Sequence, residues 1–383
     1  MRVAFLAPEF IPAIGGVGTY SIELVKRLSN DVEIHLFTPY RGYDIKRYLD
    51  KKVVVHYIGE ANGDFFYNLK FQLGLFFRFP KLHKKYRFDL VHAANLVHMP
   101  DIFLKLRRLK IPTITTIHTT LKSQTHCNDG RMWRYSSTAE RCTNLFYPVI
   151  KILEKFYIAR TKNMIAVSQW IKDLVNTKNK NVKVIHNGIN VNKFSHGKPG
   201  FFDFGDRQVV LFSGRLLGIK GLNLLINSAK EVLKEKDCLF VIAGGGNIDY
   251  WKKKAQSDRI IFLGKMPLSA MPHLYYHADI FVLPSYGDSF PLTLLEAMAS
   301  ETAVIASNAG GIPEIISNNY NGLLFNVGDY NTLVNSIIKL LRYSKLRNRL
   351  SKNAKETVSE KFNIDLMANK TLKFYKEVSG CDS

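Results

Sequence analysis

Residues 281–314 read FVLPSYGDSFPLTLLEAMASETAVIASNAGGIPE. With Ile280 in front, the run to Leu283 is short and wholly apolar, the pattern of a buried strand. Pro284, Ser285 and Gly287 break that pattern and mark a loop. From Leu292 to Ala299 the apolar spacing turns helical, and Ala303 to Ala306 read as a second buried strand. Strand, loop, helix, strand is a βαβ unit, and such units gather ligands at the carboxyl ends of their strands. Asp288 stands in the loop and Glu296 eight positions on, about two helical turns along. Carboxylates so spaced can point at one site, where they suit the hydroxyls of a sugar or ribose; the same spacing also fits a solvated loop acid and a surface acid.

Working outward, the 383 residues exceed what one core usually holds, since single cores rarely grow past about 250–300 residues, and two domains are expected. A hydrophobic content of 46% with 22% charged residues is that of a soluble globular chain. No apolar run approaches the about 18 residues of a membrane span, and MRVAFLAPEF has too short an apolar core for a signal peptide. Cys127, Cys142, Cys238 and Cys381 show no paired spacing and read as reduced thiols of a cytoplasmic protein. The net charge of +22 is unevenly spread: up to Phe194 there are 31 Lys and Arg against 14 Asp and Glu, and beyond it 23 against 18. The first half therefore carries most of the field and asks for an anionic partner, whether nucleic acid, acidic membrane or phosphorylated acceptor.

In the first half, Arg2 to Ala7 is a strand followed by the loop glycines Gly15, Gly16 and Gly18, then by a helix with Tyr20, Leu24 and Leu28 at helical spacing. Glycines there let backbone N–H groups approach a phosphate at a helix N-terminus; the dinucleotide pattern G-x-G-x-x-G is not met, because Ser21 stands at its third glycine. Val32–Phe37, Val53–Tyr57, Asp89–His92, Thr113–Ile117, Met164–Val167 and Val182–Ile185 read as further strands. Between them, Phe65 to Arg87 mixes aromatics and leucines with Lys70, Arg78, Lys81, Lys84, Lys85 and Arg87 and no acid. A helix of that composition suits an anionic membrane interface; its alternatives are packing on the sheet with solvated lysines, or stacking on single-stranded nucleic acid, for which no RNA-binding signature is present. His118 follows a strand at its carboxyl end, where functional side chains collect; His92 and His98 stand second to it. The polar excursion Thr119–Asn144, with His126, Cys127, Asp129 and Cys142, reads as a gating loop rather than a metal or disulfide site.

From Val191 to Arg207 the chain loses periodicity and reads as an interdomain linker. A second strand series begins at Gln208–Ser213 and continues with Leu239–Ala243, which ends at Gly244, and Ile260–Gly264. After the first of these, Arg215 and Lys220 place two cations on a loop and helix start, suited to a diphosphate whose negative charge grows as a leaving group departs. The tail from Asn331 reads as basic helix.

The block PSYGDSFPLTLLEAMA with GGIPE resembles the nucleotide-sugar signature of retaining glycosyltransferases of family 4, and the run from Gly214 through Arg215 to Lys220-Gly221 matches that family's second signature. The family usually carries Glu, seven residues, Glu; here Asp288 replaces the first, one methylene shorter. The resemblance implies an α/β chain of the GT-B fold, two Rossmann-like α/β/α domains facing an interdomain cleft. It implies an acceptor-side domain over 1–195, a donor domain over 196–362, and a C-terminal helix over 363–383 that returns to the first domain. It further implies a nucleotide diphosphate sugar of UDP or GDP type as donor, no obligatory cofactor or metal, and a glycan or lipid-linked acceptor at the cytoplasmic membrane face, with no nucleic acid.

On that reading Arg215 and Lys220 stabilise the departing diphosphate, Glu296 holds the ribose, and Asp288 with His118 positions the sugar. Backbone N–H groups of Gly16, Phe290 and Leu292 join the same diphosphate cradle, the turn at Gly264 reads the base, and Gly15, Gly244 and Ser289 complete the donor site. A nucleotide-sugar 2-epimerase of the same architecture and a non-enzymatic basic binding protein are the alternatives.

Overall fold

The computed structural model describes residues 1–11, 15–61, 67–106, 110–125, 147–175, 178, 180–195, 197 and 201–380. His126, Cys127, Asp129 and Cys142 of the polar excursion, Phe65 of the basic segment, and Cys381 lie outside them. Two compact units are formed, one from Met1–Lys122, Leu145–Gly188 and Ile364–Ser383, the other built on Ile189–Asn363.

The first unit holds seven strands: β1 Arg2–Leu6, β2 Glu33–Tyr40, β3 Val54–Glu60, β4 Leu90–Ala93, β5 Thr113–Ile117, β6 Asn163–Ala166 and β7 Asn181–Val184. Their order is β3-β2-β1-β4-β5-β6-β7, and every pairing is parallel. A parallel sheet needs both faces covered, which is why β1 reads as an unbroken apolar run. Val3 and Phe5 turn to one core, shared with helix Gly16–Leu28 and helix Ile364–Ser379. Ala4 and Leu6 turn to the other, shared with Phe71, Leu75 and Phe79 of helix Tyr67–Tyr86. Strands β2 and β3 run on to Tyr40 and Glu60, past the ends expected at Phe37 and Tyr57, because ladder pairing between Tyr40 and Glu60 continues where the apolar signal has stopped.

The second unit holds β8 Gln208–Ser213, β9 Cys238–Ala243, β10 Ile260–Gly264, β11 Ile280–Leu283, β12 Ala303–Ser307 and β13 Leu323–Phe325, in the order β10-β9-β8-β11-β12-β13. All are parallel. The order reverses between β8 and β11, so the loops after these two strands flank the crevice where open α/β sheets bind ligands. In the first unit the same reversal falls between β1 and β4. Cys238, at the start of β9, is a buried free thiol.

Candidate active site

In the second unit the loop after β8 carries Arg215 and Lys220, and the loop after β11 carries Asp288. Lys220 and Asp288 meet across the point of strand-order reversal as a short ion pair, both side chains mostly buried. The two loops are also joined through the backbone: Tyr286 N–H donates to the Ile219 carbonyl at 2.9 Å, and the Ser285 hydroxyl donates to the same oxygen at 3.3 Å. Gly221 has φ +74°, and a Cβ there would lie 1.8 Å from the Pro284 carbonyl oxygen, so only glycine lets these loops approach. Arg215 is exposed, and among the described residues its guanidinium forms no ion pair. It remains available to an anion arriving at the same edge.

A third loop locks the acid in place. Gly311 N–H donates to the Asp288 carbonyl at 2.8 Å, and Gly310, at φ +59°, sits where a Cβ would be 2.1 Å from that oxygen. Ser289, Phe290 and Leu292 are buried beside Asp288, with the Phe290 ring 5.4 Å from that of Phe362. Helix Leu292–Ala299 begins there behind Pro291, with no side chain capping it. Its first N–H groups lack intrahelical acceptors, and the helix dipole makes that end attractive to negative charge.

Glu296 lies on the same helix, 7% exposed, and its Oε2 accepts the Tyr275 hydroxyl proton at 2.9 Å. Burial first, and then the Glu296 charge, hold the Tyr275 phenol above its ordinary range, so it stays a donor; Ser213 at the end of β8 supplies a further hydrogen bond to it. Tyr275 was not legible as a site residue, because its neighbours Leu274, Tyr276 and His277 give it no distinguishing pattern. At the far side, Gly244 N–H donates to the Gly264 carbonyl at 2.8 Å and Gly214 N–H to the Ala243 carbonyl at 3.0 Å, tying the turns after β8, β9 and β10 together. Asp288, Lys220, Arg215, Glu296, Gly244 and Gly264 thus all belong to the second unit, on loops at the carboxyl edge of its sheet or on the helix that follows β11.

Gly15, Gly16 and His118 belong to the first unit, the glycines at the start of the helix that follows β1 and His118 directly after β5. Helix Gly16–Leu28 starts with Gly15 as its cap and no side-chain bond to its first turn, and Gly16 is exposed. His118 is buried, its ring edge-on to Tyr20 with centroids 4.4 Å apart. Burial pushes its imidazole down to about 3, against the opposing pull of a hydrogen bond to the Ala94 backbone. The ring is therefore neutral at physiological pH, and its buried Nε2 has no hydrogen-bond partner among the described residues. That nitrogen can accept a proton from a hydroxyl.

Behind His118 runs a buried polar chain. The Tyr20 hydroxyl lies 3.1 Å from Thr116 Oγ1, which lies 2.7 Å from His92 Nε2, and His92 Nδ1 bonds Tyr375 of helix Ile364–Ser379. Burial pushes His92 down to about 3 as well. His92 is thus a neutral bridge inside the unit, between sheet and C-terminal helix.

Known proteins match both units. Residues 14–193 match the family model Glycosyltransferase Family 4, and residues 198–357 match Glycosyl transferases group 1. The chain is 28% identical over 394 residues to the N,N'-diacetylbacillosaminyl-diphospho-undecaprenol alpha-1,3-N-acetylgalactosaminyltransferase of Campylobacter jejuni, covering 99% of each. Among solved structures, sucrose-phosphate synthase from Thermosynechococcus elongatus superposes with a TM-score of 0.82 at 20% identity, over 100% of both chains. The Anabaena protein HepE in complex with UDP-glucose superposes at 0.73 with 20% identity, over 98% of this chain and 100% of that one. The fold is therefore that of the GT-B glycosyltransferases. With both units matched, the chain belongs to glycosyltransferase family 4 and is an enzyme of the hexosyltransferase type.

Proposed function

We propose that the chain transfers a glycosyl group, with retention of anomeric configuration, from a UDP-sugar to a lipid-linked acceptor at the cytoplasmic face of a membrane. The observation that carries this reading is the Lys220–Asp288 pair at the point of strand-order reversal, with exposed Arg215 on the same loop as Lys220. A diphosphate entering there exchanges Asp288 for its own oxygens at the Lys220 ammonium, and Arg215 adds a second cation. Both interactions strengthen as the leaving group gains charge, which is where electrostatic stabilisation lowers a barrier. The freed Asp288 carboxylate then accepts a hydroxyl of the sugar; in the first unit, His118 Nε2 is an acceptor for a substrate hydroxyl.

Glu296 takes the ribose, oriented by Tyr275; N–H groups of Phe290 and Leu292 add to the diphosphate cradle, and the Gly244 and Gly264 turns meet the base. The second unit is accordingly the donor side and the first the acceptor side. Support for uridine comes from the UDP-glucose bound to HepE, and support for a lipid-linked acceptor from the diphospho-undecaprenol in the name of the Campylobacter relative.

The test is a panel of UDP-sugars with a polyprenyl-diphosphate acceptor, the product's new linkage being read by NMR. An α-linked donor should give an α-linked product. A β-linked product would overturn retention, and turnover of the donor without acceptor into an epimer would overturn transfer.

A further inference from the structure

We infer that the outer surface of one helical layer of the first unit docks on an anionic lipid bilayer, through two apolar ridges framed by cations. The inference rests on the lipid-linked acceptor proposed above and names the surface that would bring the enzyme to it.

The first ridge is on helix Tyr67–Tyr86. Phe71, Leu75 and Phe79 bury one face of this helix against the sheet. Leu69, Leu73 and Phe77 repeat the same spacing of four on another face, and they are 43, 42 and 65% exposed. The second ridge is on helix Tyr147–Arg160, where the usual order is inverted. Its buried side chains are the polar Glu154 and Tyr157, while Val149, Ile152 and Leu153 are 56, 68 and 43% exposed. A helix that turns its polar residues inward and its aliphatic ones to water is poorly arranged for water alone.

Both helices cover the same face of the seven-stranded sheet. Ile114 of β5 faces the core shared with helix Gly16–Leu28, so Thr115 faces the other side, and its hydroxyl lies 3.1 Å from that of Tyr157. That is also the side on which Phe71, Leu75 and Phe79 meet Ala4 and Leu6. The short helix Ile102–Leu106 bridges the two: the Phe103 ring is 6.3 Å from that of Phe76, and the Lys105 ammonium is 4.8 Å from the Tyr157 ring.

Charge selects the occupant. Arg78, Lys81, Lys84 and Lys85 on the first helix and Lys151 and Lys155 on the second are exposed. The two helices contain a single acid, Glu154, and it is buried. A second copy pairing through this face would set cation against cation, whereas anionic headgroups complement the rim while the ridges enter the acyl boundary. Among the described residues no helix is long and apolar enough to cross a membrane, so the layer would lie on the bilayer.

The full chain is sedimented with phosphatidylcholine vesicles, with and without phosphatidylglycerol, and UDP-induced thermal shifts are recorded on the same preparations. Binding is expected only with phosphatidylglycerol. The double variant Phe77→Glu, Ile152→Glu should lose at least about tenfold in partition, and each neutralised cation, such as Lys84→Ser, about fivefold. These side chains are on the surface, so melting temperature and UDP response should be retained. Equal or absent binding on both vesicles would overturn the inference, as would unchanged partition of the double variant. A wild-type dimer that the double variant dissolves would also overturn it, since the ridges would then be filled by a second copy. A wild type that binds vesicles but ignores UDP would instead remove the transfer reading and leave the docking surface standing.

Discussion

Lys220→Ala lowers kcat by about 10²–10³-fold while the donor KM changes far less, because a contact to a departing diphosphate is worth most in the transition state. The substitution has a second consequence: Lys220 is the ion-pair partner of Asp288, so its removal leaves a mostly buried carboxylate without its cation. The companion variant Asp288→Asn separates the two effects. It keeps the Lys220 ammonium for the diphosphate, and on this account it impairs sugar positioning without losing leaving-group stabilisation. Steady-state kinetics with saturating acceptor reads both. A Lys220→Ala enzyme with wild-type kcat would remove this residue from the leaving-group role.

Glu296→Ala weakens UDP binding by about 10–100-fold, the range expected for losing a hydrogen bond to a charged acceptor. Here too the structure supplies a control. The buried Tyr275 hydroxyl donates to Glu296, so the alanine variant also strands that phenol. Tyr275→Phe removes the bond and keeps the carboxylate; it should cost a smaller loss of UDP affinity, arising only from a looser Glu296 rotamer. Calorimetric titration of UDP into the three proteins decides the matter. Equal affinity of wild type and Glu296→Ala for UDP would contradict the ribose assignment.

The parts legible from sequence were those whose signal is local. Ile280–Leu283, Gln208–Ser213 and Thr113–Ile117 are strands over the spans their apolar runs suggest, and the helix begins at Leu292 because Pro291 starts the periodic pattern. Where strands continue into polar residues, as β2 does through Thr38 to Tyr40, the apolar signal ends before the ladder does. Contacts between distant residues were not legible at all. Lys220 and Asp288 are 68 positions apart, and nothing in their spacing says that they pair. Tyr275 and Glu296 are 21 apart, on successive helices whose relation only the sheet fixes. His92 and His118 look alike in sequence, each at the end of a parallel strand. Hydrogen bonding separates them: His92 has both ring nitrogens bonded inside the unit, and His118 keeps Nε2 without a partner among the described residues. The outward aliphatic face of helix Tyr147–Arg160 was likewise hidden, since its apolar spacing is that of any packed helix until burial shows which side faces the sheet.

The central claim is that the second unit binds a uridine diphosphate sugar at the Lys220–Asp288 crevice. It is tested most directly by a thermal-shift panel of UDP, GDP and ADP with their sugar conjugates, without metal and then with magnesium. A ligand that binds only the native state at a hundred times its Kd stabilises by about 2.7 kcal/mol, so a true donor registers even when weak. UDP and UDP-sugars should raise the melting temperature, and Glu296→Ala should make that rise clearly smaller at the same ligand concentration. A folded protein whose melting temperature no nucleotide moves, or that answers to GDP or ADP in place of UDP, would contradict the claim.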